Sequence, residues 1–459
     1  MQITDFKNER VHFIGVGGIS MRGLAKLLLL DGYRVSGSDM NYADCFEMLT
    51  ELGAKCYSPH KQGQEEGAGL VVINSAIPEH NPELKAAREK DIPVMERTEL
   101  LSQLMEGARI SFGVSGMHGK TTCSSMLVTI LELCGLNPTA HLGGELSLIG
   151  GATKHGGDTF IAEACEYKNN YHRLSLTGAA ILNIDEDHLD FFKDLDDIID
   201  SYRTYINKLP AAGIVVLNAD DDEVLLAANQ RKCDAVTFGI VRDADFRAVN
   251  INKGSDGLYK FDLLHDNRAY PVSLGAPGRH NIYNACAAIA SAVCCECAVE
   301  CACSTVGEYQ GAKRRFEKSG ELKNSVVVYH DYAHHPIEVK ATLLAANDRT
   351  QGKVICIFQP HTYTRTKALL DDFADSFESA SVVIVTDIYA AREPDDGTIH
   401  SRILVDRIQR AFPDKICMYA DSFDEAANKA FELSSNNDII ITLGAGDIQK
   451  VNRKLKDYE

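Results

Sequence analysis

The sequence lacks three features, and each absence argues against a class of protein. No apolar run approaches the roughly 18 residues that a membrane-spanning helix needs. The start, Met1-Gln-Ile-Thr-Asp5, has neither basic charge nor an apolar core, so we expect no leader peptide, no membrane partner and a cytoplasmic location. Positive charge is scarce, with 47 Lys and Arg against 65 Asp and Glu and a net charge of −18. Nucleic acid is therefore not expected as a partner, because phosphate backbones require a basic face.

The 14 cysteines do not follow any of the usual two-pair spacings of a zinc site. Five of them crowd one stretch: Cys294, Cys295, Cys297, Cys301 and Cys303. Residues 285–299 are rich in Ala and predict a buried helix, in which free thiols pack as small hydrophobic groups. We therefore expect no metal cluster here, and thiols that fit a reducing compartment better than a disulfide scaffold.

The chain has 459 residues, and because a domain typically has about 150 residues, this length predicts three domains. Strand and helix signals alternate through most of it, which predicts an α/β fold with parallel strands and crossover helices. We expect a Rossmann-like N-terminal domain, a central phosphate-binding domain whose mainly parallel sheet is accompanied by a small antiparallel sheet, and a Rossmann-like C-terminal α/β domain. The predicted boundaries are 1–107, 108–310 and 311–459.

The most informative stretch is Gly113-Val-Ser-Gly-Met-His-Gly-Lys-Thr-Thr122, which follows a predicted strand and opens a helix over residues 123–133. A glycine turn between strand and helix aims backbone N–H groups and the positive helix end at one point, which suits a phosphate. Lys120 would reach the terminal phosphates and the Thr121 hydroxyl would contact Mg²⁺. Val114 stands where the strict pattern has Gly, and a plain glycine turn is the alternative. The predicted ATP-binding residues here are Gly116, Met117, His118, Gly119, Lys120, Thr121 and Thr122.

Two later strands, 159–163 and 179–183, end in polar residues. The carboxyl ends of parallel strands are where metal–nucleotide chemistry is normally built. Glu163 would complete the oxygen shell of a Mg²⁺ that touches Thr121, and the segment 184–190 brings His188 into the same region. The alternative is an acid-rich loop that caps the following helix.

A second glycine turn lies near the start of the chain, where the strand signal of residues 11–14 runs into Gly15, Gly17 and Gly18 before a helix that extends to Leu30. Ser20 stands at the third glycine position of a dinucleotide fingerprint. Asp39 ends the next strand, at the place of a ribose-binding acid. The turn favours a pyrophosphate-containing ligand without identifying NAD, and tight strand-to-helix packing without a ligand is the alternative. Further strands are predicted over 33–39, 70–77 and 92–95.

The last part of the predicted central domain contains a strand, a hairpin and the beginning of a helix. A strand is predicted over 213–217, and residues 244–275 alternate around the turn 254–257, which predicts an antiparallel hairpin. The next helix opens with His280-Asn281-Ile-Tyr-Asn284. Asn281 is either a cap or, through its amide donor and acceptor, a partner for an adenine edge.

The C-terminal segment carries four polar loops at the ends of predicted strands. The strands are 326–328, 354–358, 382–386 and 439–443, and the loops are 330–335, 359–365, 387–393 and 444–447. In a parallel sheet all four loops fall along one edge, the edge that ligands use, although solvated turns are the alternative. Arg314 and Arg315 add cationic charge suited to a phosphate or carboxylate.

Taken together and in order, eight motifs of this chain resemble those of the Mur ligases, and the resemblance spans nearly the whole sequence. The motifs are 15–21 (GVGGISM), 116–122 (GMHGKTT), 163–166 (EACE), 187–190 (DHLD), 280–284 (HNIYN), 331–336 (DYAHHP), 359–365 (QPHTYTR) and 443–448 (LGAGDI). The resemblance implies that the first glycine turn holds the pyrophosphate of a UDP-sugar rather than NAD.

The resemblance also implies an ATP-dependent amide-forming reaction of peptidoglycan precursor synthesis. The lactyl carboxylate of UDP-N-acetylmuramate would attack the γ-phosphate of ATP, giving an acyl phosphate and ADP. The amine of L-alanine would then displace phosphate. The expected cofactors are ATP and Mg²⁺, and the expected partners are the sugar nucleotide and L-alanine, with the protein a monomer or homodimer.

The resemblance assigns further residues. Lys120, His188, His334 and Arg365 are expected to be catalytic, with His188 at a second Mg²⁺ beside the one held by Thr121 and Glu163. Asn281, Asn284 and Arg315 join the expected ATP site. The expected UDP-sugar residues are Gly15, Gly17, Gly18, Ile19, Ser20, Asp39, Ser75 and His361.

Two positions depart from the pattern of many relatives: Cys165 stands where they carry Asp, and Thr362 where they carry Arg. Some relatives use a carbamylated lysine, for which Tyr202 and Arg203 cannot serve, so none is expected.

Three rival functions make different demands on these residues. A sister ligase that attaches a recycled peptide would keep the ATP machinery and differ in the choice of amine. A dehydrogenase using the first glycine turn would leave Lys120, Glu163 and His188 without a role. A non-catalytic nucleotide-binding scaffold would not require that full set.

Overall fold

A computed structural model describes residues 1–459 of the chain apart from seven positions, namely Asp44, Leu189, Asp190, Asn324, Arg392, Asp396 and Glu459. The predicted loop residues Leu189, Asp190 and Arg392 therefore lie outside the described residues. The chain forms two compact units. The first comprises residues 1–249, 263–271 and 283–308, and the second comprises residues 250–262, 272–282 and 309–459.

The N-terminal sheet has five parallel strands in the order β3-β2-β1-β4-β5. These are β1 (Arg10–Ile14), β2 (Arg34–Ser38), β3 (Lys55–Tyr57), β4 (Ala68–Ile73) and β5 (Val94–Glu96). The helices are α1 (Ile19–Leu30), α2 (Cys45–Glu51), α3 (Pro82–Glu89) and α4 (Arg97–Glu106), after a 3-10 turn at Ile3–Phe6. Helix α3 begins at Pro82, because the Asn81 side chain accepts hydrogen bonds from two N–H groups of the first turn and proline suits the first helical position.

The central sheet has ten strands in the order β15-β14-β13-β12-β11-β10-β6-β9-β7-β8. They are β6 (Ile110–Ser115), β7 (Thr139–Leu146), β8 (Gly151–Lys154), β9 (Thr159–Glu163), β10 (Gly178–Ile181), β11 (Ile214–Asn218), β12 (Asp234–Gly239), β13 (Phe246–Lys253), β14 (Tyr259–His265) and β15 (Arg268–Ser273). Strand β6 lies between β10 and β9 and is parallel to both, while β7 and β8 are antiparallel. The small antiparallel sheet expected over residues 244–275 is not separate, since its strands continue this sheet.

Five helices accompany the central sheet: α5 (Lys120–Leu133), α6 (Leu195–Asn207), α7 (Asp222–Ala227), α8 (His280–Cys294) and α9 (Val299–Thr305). Shorter 3-10 turns lie at Ser147–Ile149, Tyr167–Arg173 and Val306–Glu308. Helix α5 is buried along nearly its whole length between the sheet and its neighbours. That burial matches a sequence of apolar and small residues without a polar stripe.

The C-terminal sheet has six strands in the order β16-β17-β21-β18-β19-β20. They are β16 (Glu317–Glu321), β17 (Val327–Asp331), β18 (Val354–Phe358), β19 (Val382–Val385), β20 (Ile416–Tyr419) and β21 (Ile439–Leu443). All pairs are parallel except β16 with β17. The helices are α10 (Pro336–Asn347), α11 (Tyr363–Ala368), α12 (Leu370–Asp375), α13 (Ser401–Ala411), α14 (Phe423–Leu433) and α15 (Gln449–Leu455), with a 3-10 turn at Lys456–Tyr458.

The central strands of the C-terminal sheet, β18 and β21, are almost entirely apolar because both faces of the sheet are covered. All five residues of β18 and of β21 are buried, and separate apolar clusters pack on the two faces. A near-continuous apolar run is the expected pattern for such a strand. The predicted strands 354–358 and 439–443 are confirmed for this reason.

Some predicted boundaries were wrong, and local backbone chemistry explains them. The strand predicted over 70–77 ends at Ile73, because the Asn74 side chain accepts a hydrogen bond from the Ala76 N–H and turns the chain. The buried helix predicted over 285–299 runs instead from His280 to Cys294, and Glu296 beyond it adopts a left-handed φ of 67°. Asn281 therefore lies inside the first turn of α8 and is not its cap.

The cysteines include one disulfide, which joins Cys134 to Cys301 across 167 positions of the chain. The expectation of thiols alone was wrong at this pair, because the end of α5 and the start of α9 bring the two Cα atoms to 6.0 Å. The other twelve cysteines are free. Cys295, Cys297 and Cys303 are buried as predicted. Among the described residues, no helix combines the length and apolar character needed to cross a membrane.

Candidate functional site

The phosphate loop connects β6 to α5 with the geometry that the sequence predicts. Gly116 and Gly119 have φ values of 145° and 84°, a region that side chains disfavour. A Cβ on Gly119 would stand 2.5 Å from Oδ1 of Asn284, so glycine is required there by space as well as by conformation. Helix α5 begins at Lys120, immediately after the turn, and its N-terminal N–H groups therefore face the loop.

Asn183, at the end of the neighbouring strand β10, fixes the middle of this loop. Its Oδ1 accepts a hydrogen bond from the His118 N–H at 2.8 Å, and its Nδ2 donates to the His118 carbonyl at 3.0 Å. The Met117 N–H donates to the Asn183 carbonyl at 3.3 Å. The loop is thus held open by a side chain that the sequence analysis did not single out.

Lys120 ends in a buried chain of charges. Its ammonium lies 2.9 Å from Oε2 of Glu166 and donates to the Met117 carbonyl at 3.1 Å. The other oxygen of Glu166 lies 3.1 Å from Nε2 of His188. Glu166 is only 1% exposed, so its carboxylate requires both partners. The structure brings Lys120 and His188 together through Glu166, a residue whose role sequence analysis missed.

Charge pairing decides the protonation of this chain. Burial by itself would lower the pKa of Lys120, but the Glu166 carboxylate outweighs it and raises that pKa. Burial would raise the pKa of Glu166, and Lys120 and His188 together lower it. Lys120 is therefore a stable cation and Glu166 a stable anion. The neighbouring Cys165 stays a neutral thiol, because burial raises its pKa to about 11.

Glu163, at the end of β9, accepts hydrogen bonds from donors on two elements, α5 and β7. Its oxygens accept hydrogen bonds from the Thr121 hydroxyl at 3.1 Å, the Ser124 hydroxyl at 3.3 Å and the Gly143 N–H at 2.6 Å. A Cβ on Gly143 would lie 2.6 Å from the same carboxylate. A carboxylate and a hydroxyl in contact form the oxygen pair that Mg²⁺ prefers, so Thr121 and Glu163 fit the predicted metal.

His188 has a left-handed backbone and an aromatic neighbour. Its φ is 55°, and its ring centroid lies 4.7 Å from that of Tyr167. The turn that places Tyr167 is itself unusual, since Lys168 and Asn169 both have φ values near 55°. Positive φ values at Lys168, Asn169 and His188 thus lie in the two segments that place Glu166 and His188 beside Lys120, which matches the tendency of strained segments to lie at functional sites.

The first glycine turn has a different set of partners. The N–H groups of Gly15 and Val16 donate to the Ser38 carbonyl at 2.8 and 2.9 Å, and the Gly17 N–H donates to Oδ2 of Asp39 at 2.9 Å. Gly18 caps α1. The predicted residues Gly15, Gly17, Gly18 and Asp39 thus lie together at the carboxyl ends of β1 and β2.

Ser20 is held by two residues that sequence analysis missed. Its hydroxyl lies 2.7 Å from Nε2 of His141 and accepts a hydrogen bond from Arg97 at 2.9 Å. Burial lowers the pKa of His141 to about 3, so the ring is neutral. Neither residue belongs to a motif, and only the packing of α1 against β7 and the start of α4 reveals them. Ser75, also predicted for the sugar nucleotide, is exposed beyond β4.

A buried polar network lies beneath the same turn. Glu83 on α3 contacts His12 on β1 at 2.6 Å, His60 at 2.7 Å and the Ser38 hydroxyl at 2.8 Å. Glu83 and His12 are both fully buried. Burial would raise the pKa of Glu83, but the hydrogen bonds from these partners outweigh it and lower the pKa to about 2. A permanent anion therefore ties β1 and β2 to α3.

In the second unit, the predicted loops meet at the carboxyl edge of the C-terminal sheet. The rings of His334, after β17, and His361, after β18, have centroids 5.6 Å apart. Nη1 of Arg365 lies 3.4 Å from Nδ1 of His361. Glu338 orients His334 by accepting from its N–H at 3.1 Å and lying 3.2 Å from its Nδ1. Three of the predicted C-terminal residues thus form one cluster.

The two arginines before β16 are placed by backbone carbonyls and an aromatic ring. Arg314 donates to the carbonyls of Ala445 and Gly446 at 3.2 Å. The guanidinium groups of Arg314 and Arg315 lie 4.5 and 5.3 Å from the centroid of the Tyr332 ring, within the range of cation–π attraction. Predicted Arg315 thus shares an edge with the loop that carries His334.

Asn281 and Asn284 both lie on α8. The Asn281 side chain is buried and donates to the Pro277 carbonyl at 2.6 Å. Asn284 lies against Gly119 of the phosphate loop. The remaining departure from many relatives, Thr362, has a left-handed φ of 64° and precedes α11.

Three family models match the chain in order. The Mur ligase family catalytic domain matches residues 10–109, the Mur ligase middle domain matches residues 114–292, and the Mur ligase glutamate ligase domain matches residues 314–446.

Curated relatives match over nearly the full length. UDP-N-acetylmuramate–L-alanine ligase of Clostridium beijerinckii is 42% identical over 450 residues, covering 98% of this chain and 97% of the relative. The enzyme of the same name from Acetivibrio thermocellus is 43% identical over 457 residues, covering 99% of this chain and 97% of the relative.

Solved structures share the fold. UDP-N-acetylmuramate–alanine ligase of Thermotoga maritima superposes with a TM-score of 0.82 at 24% identity, covering 98% of each chain. A murein peptide ligase of Psychrobacter arcticus gives a TM-score of 0.75 at 21% identity, again covering 98% of each chain. The full-length identity to curated relatives, together with three family domains in the same order, shows that this chain belongs to the Mur ligase family.

Proposed function

We propose that this chain joins L-alanine to the lactyl carboxylate of UDP-N-acetylmuramate, using ATP and releasing ADP and phosphate, in the synthesis of peptidoglycan precursors. The observation that carries the proposal is the convergence of Lys120, Thr121, Glu163 and Glu166 at one phosphate loop. The choice of substrates is supported by the curated relatives named UDP-N-acetylmuramate–L-alanine ligase, which are 42% and 43% identical over 98% and 99% of this chain.

Phosphoryl transfer requires positioning and charge neutralisation more than covalent help from the protein. Lys120 supplies a fixed positive charge, because Glu166 keeps it protonated and restrains its side chain. When the terminal phosphates of ATP arrive, the ammonium can bind them while remaining close to Glu166. The N–H groups at the start of α5 and the loop held by Asn183 bind the remaining phosphate oxygens.

We assign the predicted metal ligands to two positions. Thr121 and Glu163, whose hydroxyl and carboxylate oxygens lie 3.1 Å apart, would hold one Mg²⁺. His188, which lies beside Glu166, would contribute to a second. When bound, Mg²⁺ neutralises charge on the phosphate oxygens. The residues of the chain do the orienting: Ser124 and the Gly143 N–H fix the Glu163 carboxylate, and Tyr167 and Glu166 fix the His188 ring.

The first glycine turn is the proposed site of the sugar nucleotide. Its glycines allow a pyrophosphate to approach the backbone closely, and Asp39 is the proposed partner of the ribose. Ile19, Ser20 and Ser75 complete the proposed set in this unit, with Arg97 and the neutral His141 positioning Ser20.

The C-terminal cluster is the proposed site for the groups that form the amide. Arg365 and Arg315 offer positive charge to a phosphorylated carboxylate or to the carboxylate of L-alanine. His334 and His361 offer ring nitrogens for hydrogen bonds. Asn281 and Asn284 are proposed to bind adenine.

We also propose three domains, with the boundaries 1–107, 108–310 and 311–459. A monomeric or homodimeric state likewise stays a proposal.

Phosphate release tests this function directly. The purified protein is given ATP and Mg²⁺, with or without UDP-N-acetylmuramate, and with L-alanine, glycine, L-serine or a tripeptide as the amine. We expect release that requires the sugar nucleotide and L-alanine together. The mass of the sugar-nucleotide product identifies the amide.

Other outcomes would correct the proposal in defined ways. Release that needs the sugar nucleotide but prefers the tripeptide would indicate the peptide-recycling ligase. Reduction of a nicotinamide cofactor would support a dehydrogenase. ATP binding without turnover under any combination would indicate a nucleotide-binding scaffold.

A further inference from the structure

A cluster of three thiols lies outside the sites described above. Among the described residues, Cys134, Cys297 and Cys301 form a group whose three sulfur atoms all lie within 4.8 Å of one another. Cys134 caps the C-terminal end of α5, Cys301 lies in α9, and Cys297 lies just before α9. No residue of the proposed ligase reaction belongs to this group.

The position separates the cluster from the phosphate loop. Helix α5 has 14 residues, and at 1.5 Å per residue its two ends stand roughly 20 Å apart. Lys120 and Thr121 lie at one end and Cys134 at the other. An ion bound by the thiols would therefore not compete with ATP or with the predicted Mg²⁺.

The chemistry of the donors determines the class of ligand. Three sulfur atoms form a soft donor set, which selects Zn²⁺, Cd²⁺ or Cu⁺ over Mg²⁺ or Ca²⁺. Tetrahedral Zn²⁺ holds thiolates at about 2.3 Å, so its sulfur ligands stand roughly 3.8 Å from one another. The three sulfurs already lie within 4.8 Å of one another, and reduction of the Cys134–Cys301 bond frees those two sulfurs to move apart to that spacing.

Partial burial suits a site with one open position. Cys297 is 5% exposed, whereas Cys134 and Cys301 are half-buried. The Thr305 hydroxyl lies 3.7 Å from the Cys134 sulfur and faces the same region. A cation held by three protein sulfurs can therefore keep a water molecule as its fourth ligand, as zinc sites with three protein ligands do.

We propose that in its reduced form the protein binds one thiophilic cation of the Zn²⁺ class through Cys134, Cys297 and Cys301. The site and the Cys134–Cys301 disulfide exclude one another, because the same sulfurs take part in both. A dithiol reductant delivers two electrons and two protons to the disulfide and itself becomes a cyclic disulfide. The metal then displaces the protons of the three thiols, which pass to solvent or buffer.

The test uses the full-length protein, reduced with a dithiol that is then removed without exposure to air. Co²⁺ is titrated in, and the sulfur-to-metal charge-transfer band is followed; Zn²⁺ is then added to displace it. The variants are Cys134→Ala, Cys297→Ala and Cys301→Ala. Cys303→Ala is the matched control, since Cys303 lies in the same helix α9 but outside the cluster.

We expect one equivalent of Co²⁺ per chain with a thiolate band, displacement by Zn²⁺, and at least tenfold weaker binding in each of the three variants but not in Cys303→Ala. The thermal midpoint of the reduced protein should rise on adding Zn²⁺, since a ligand that binds only the folded form stabilises it. Midpoints without metal identify any variant that fails to fold.

Two results would overturn the proposal. One is the absence of a thiolate band in the reduced wild-type protein. The other is a band of full strength in Cys297→Ala, which would mean that the third thiol takes no part. Because neither readout involves ATP or ligation, failure here leaves the proposed ligase reaction unaffected, and failure of that reaction leaves this test intact.

Discussion

The two glycine turns of the first unit share a local design and differ in everything around it. Each follows a buried parallel strand, each places glycine at left-handed φ, and each opens a helix. Gly15 and Gly119 have nearly the same φ, 83° and 84°. The backbone alone would give both turns the same preference for a phosphate group.

The surrounding side chains separate them. The turn at residues 116–119 is followed by Lys120, which contacts Glu166 just after β9, and by Thr121, which contacts Glu163 at the end of β9. The turn at residues 15–18 has no lysine, and its Gly17 N–H already binds the Asp39 carboxylate. The first turn thus offers backbone donors and an acid, whereas the second offers a cation and metal ligands.

A glycine turn determines where a phosphate group can bind. The side chains at the ends of the neighbouring strands determine which reaction the bound phosphate can undergo. Only the turn with a cation and a hydroxyl–carboxylate pair suits phosphoryl transfer. The other suits a ligand that is held and not attacked at its phosphates. Four substitutions test this difference.

The largest effect is expected from Lys120→Ala. Loss of the cation at the phosphate loop should lower kcat for ligation by roughly 10³-fold, because the transferred phosphoryl group loses its main neutralising charge. Phosphate release measures the rate. Lys154→Ala is the matched control: Lys154 pairs with Glu132 near the other end of α5, and the variant should keep its rate. Activity near wild type in Lys120→Ala would contradict the assignment.

The next largest effect is expected on the stability of the buried Glu83 network, which lies beneath the glycine turn at residues 15–18. Glu83 has a pKa lowered from 4.5 to about 2, so it stabilises the fold above pH 4.5, and that stabilisation disappears as the pH falls toward 2. The shift corresponds to about 3 kcal/mol. Glu83→Gln should lower the free energy of local opening of β1 at pH 7 by about this amount. The difference from wild type should shrink below pH 4.5.

Hydrogen exchange of the backbone amides in β1 measures this opening directly. Glu79→Gln is the control, since Glu79 is an exposed partner of Arg88 and should leave the exchange of β1 unchanged. Equal protection in Glu83→Gln and wild type at pH 7 would show that the buried network does not hold this turn.

Gly17→Ala is expected to weaken the binding of the sugar nucleotide without affecting the binding of ATP. The added Cβ would stand 2.8 Å from Oδ2 of Asp39 and 3.0 Å from the Ala43 Cβ. Overpacking of this kind costs about 2 kcal/mol, which corresponds to roughly a 30-fold rise in KM for UDP-N-acetylmuramate. The KM for ATP should stay unchanged. Gly107→Ala, which meets only a carbonyl at 3.9 Å, is the control; an equal rise in KM for both substrates would contradict the division of roles.

The smallest effect is expected at the metal ligand. Glu163→Gln keeps an oxygen for the Thr121 hydroxyl but removes the charge, so the Mg²⁺ concentration that gives half-maximal rate should rise by about tenfold. The measurement is phosphate release against Mg²⁺ concentration. Ser124→Ala removes another hydrogen bond to the same carboxylate and should change the Mg²⁺ requirement much less. Equal requirements in both variants would place the metal elsewhere.

Where the sequence analysis succeeded, the signal was local. The phosphate loop, the β9 acid Glu163 and the apolar C-terminal strands all follow from residues within one strand–turn–helix unit. Its errors have two sources. Helix α8 ends at Cys294, just before the left-handed φ of Glu296, which is a local departure, whereas the Cys134–Cys301 disulfide is a tertiary contact between residues 167 positions apart.

Residues missed by the sequence analysis act through packing between elements. Asn183 lies just beyond β10 but fixes the loop after β6, and Arg97 and His141 come from two elements to hold Ser20 on a third. A spacing pattern cannot reveal such partners, because each pair is brought together only when the strands adopt their order in the sheet.

By itself the sequence determined the class of fold and the position of both glycine turns, and it predicted Lys120, Thr121 and Glu163 as the set for phosphate and metal. These depend on short-range rules of backbone conformation and on the regular alternation of strands and helices. The tertiary structure alone decided that Glu166 links Lys120 to His188 and that the Cys134 sulfur lies beside those of Cys297 and Cys301. Burial is the physical reason: it removes water from the charges of Lys120 and Glu166 and leaves each in need of a partner that only the folded chain can supply.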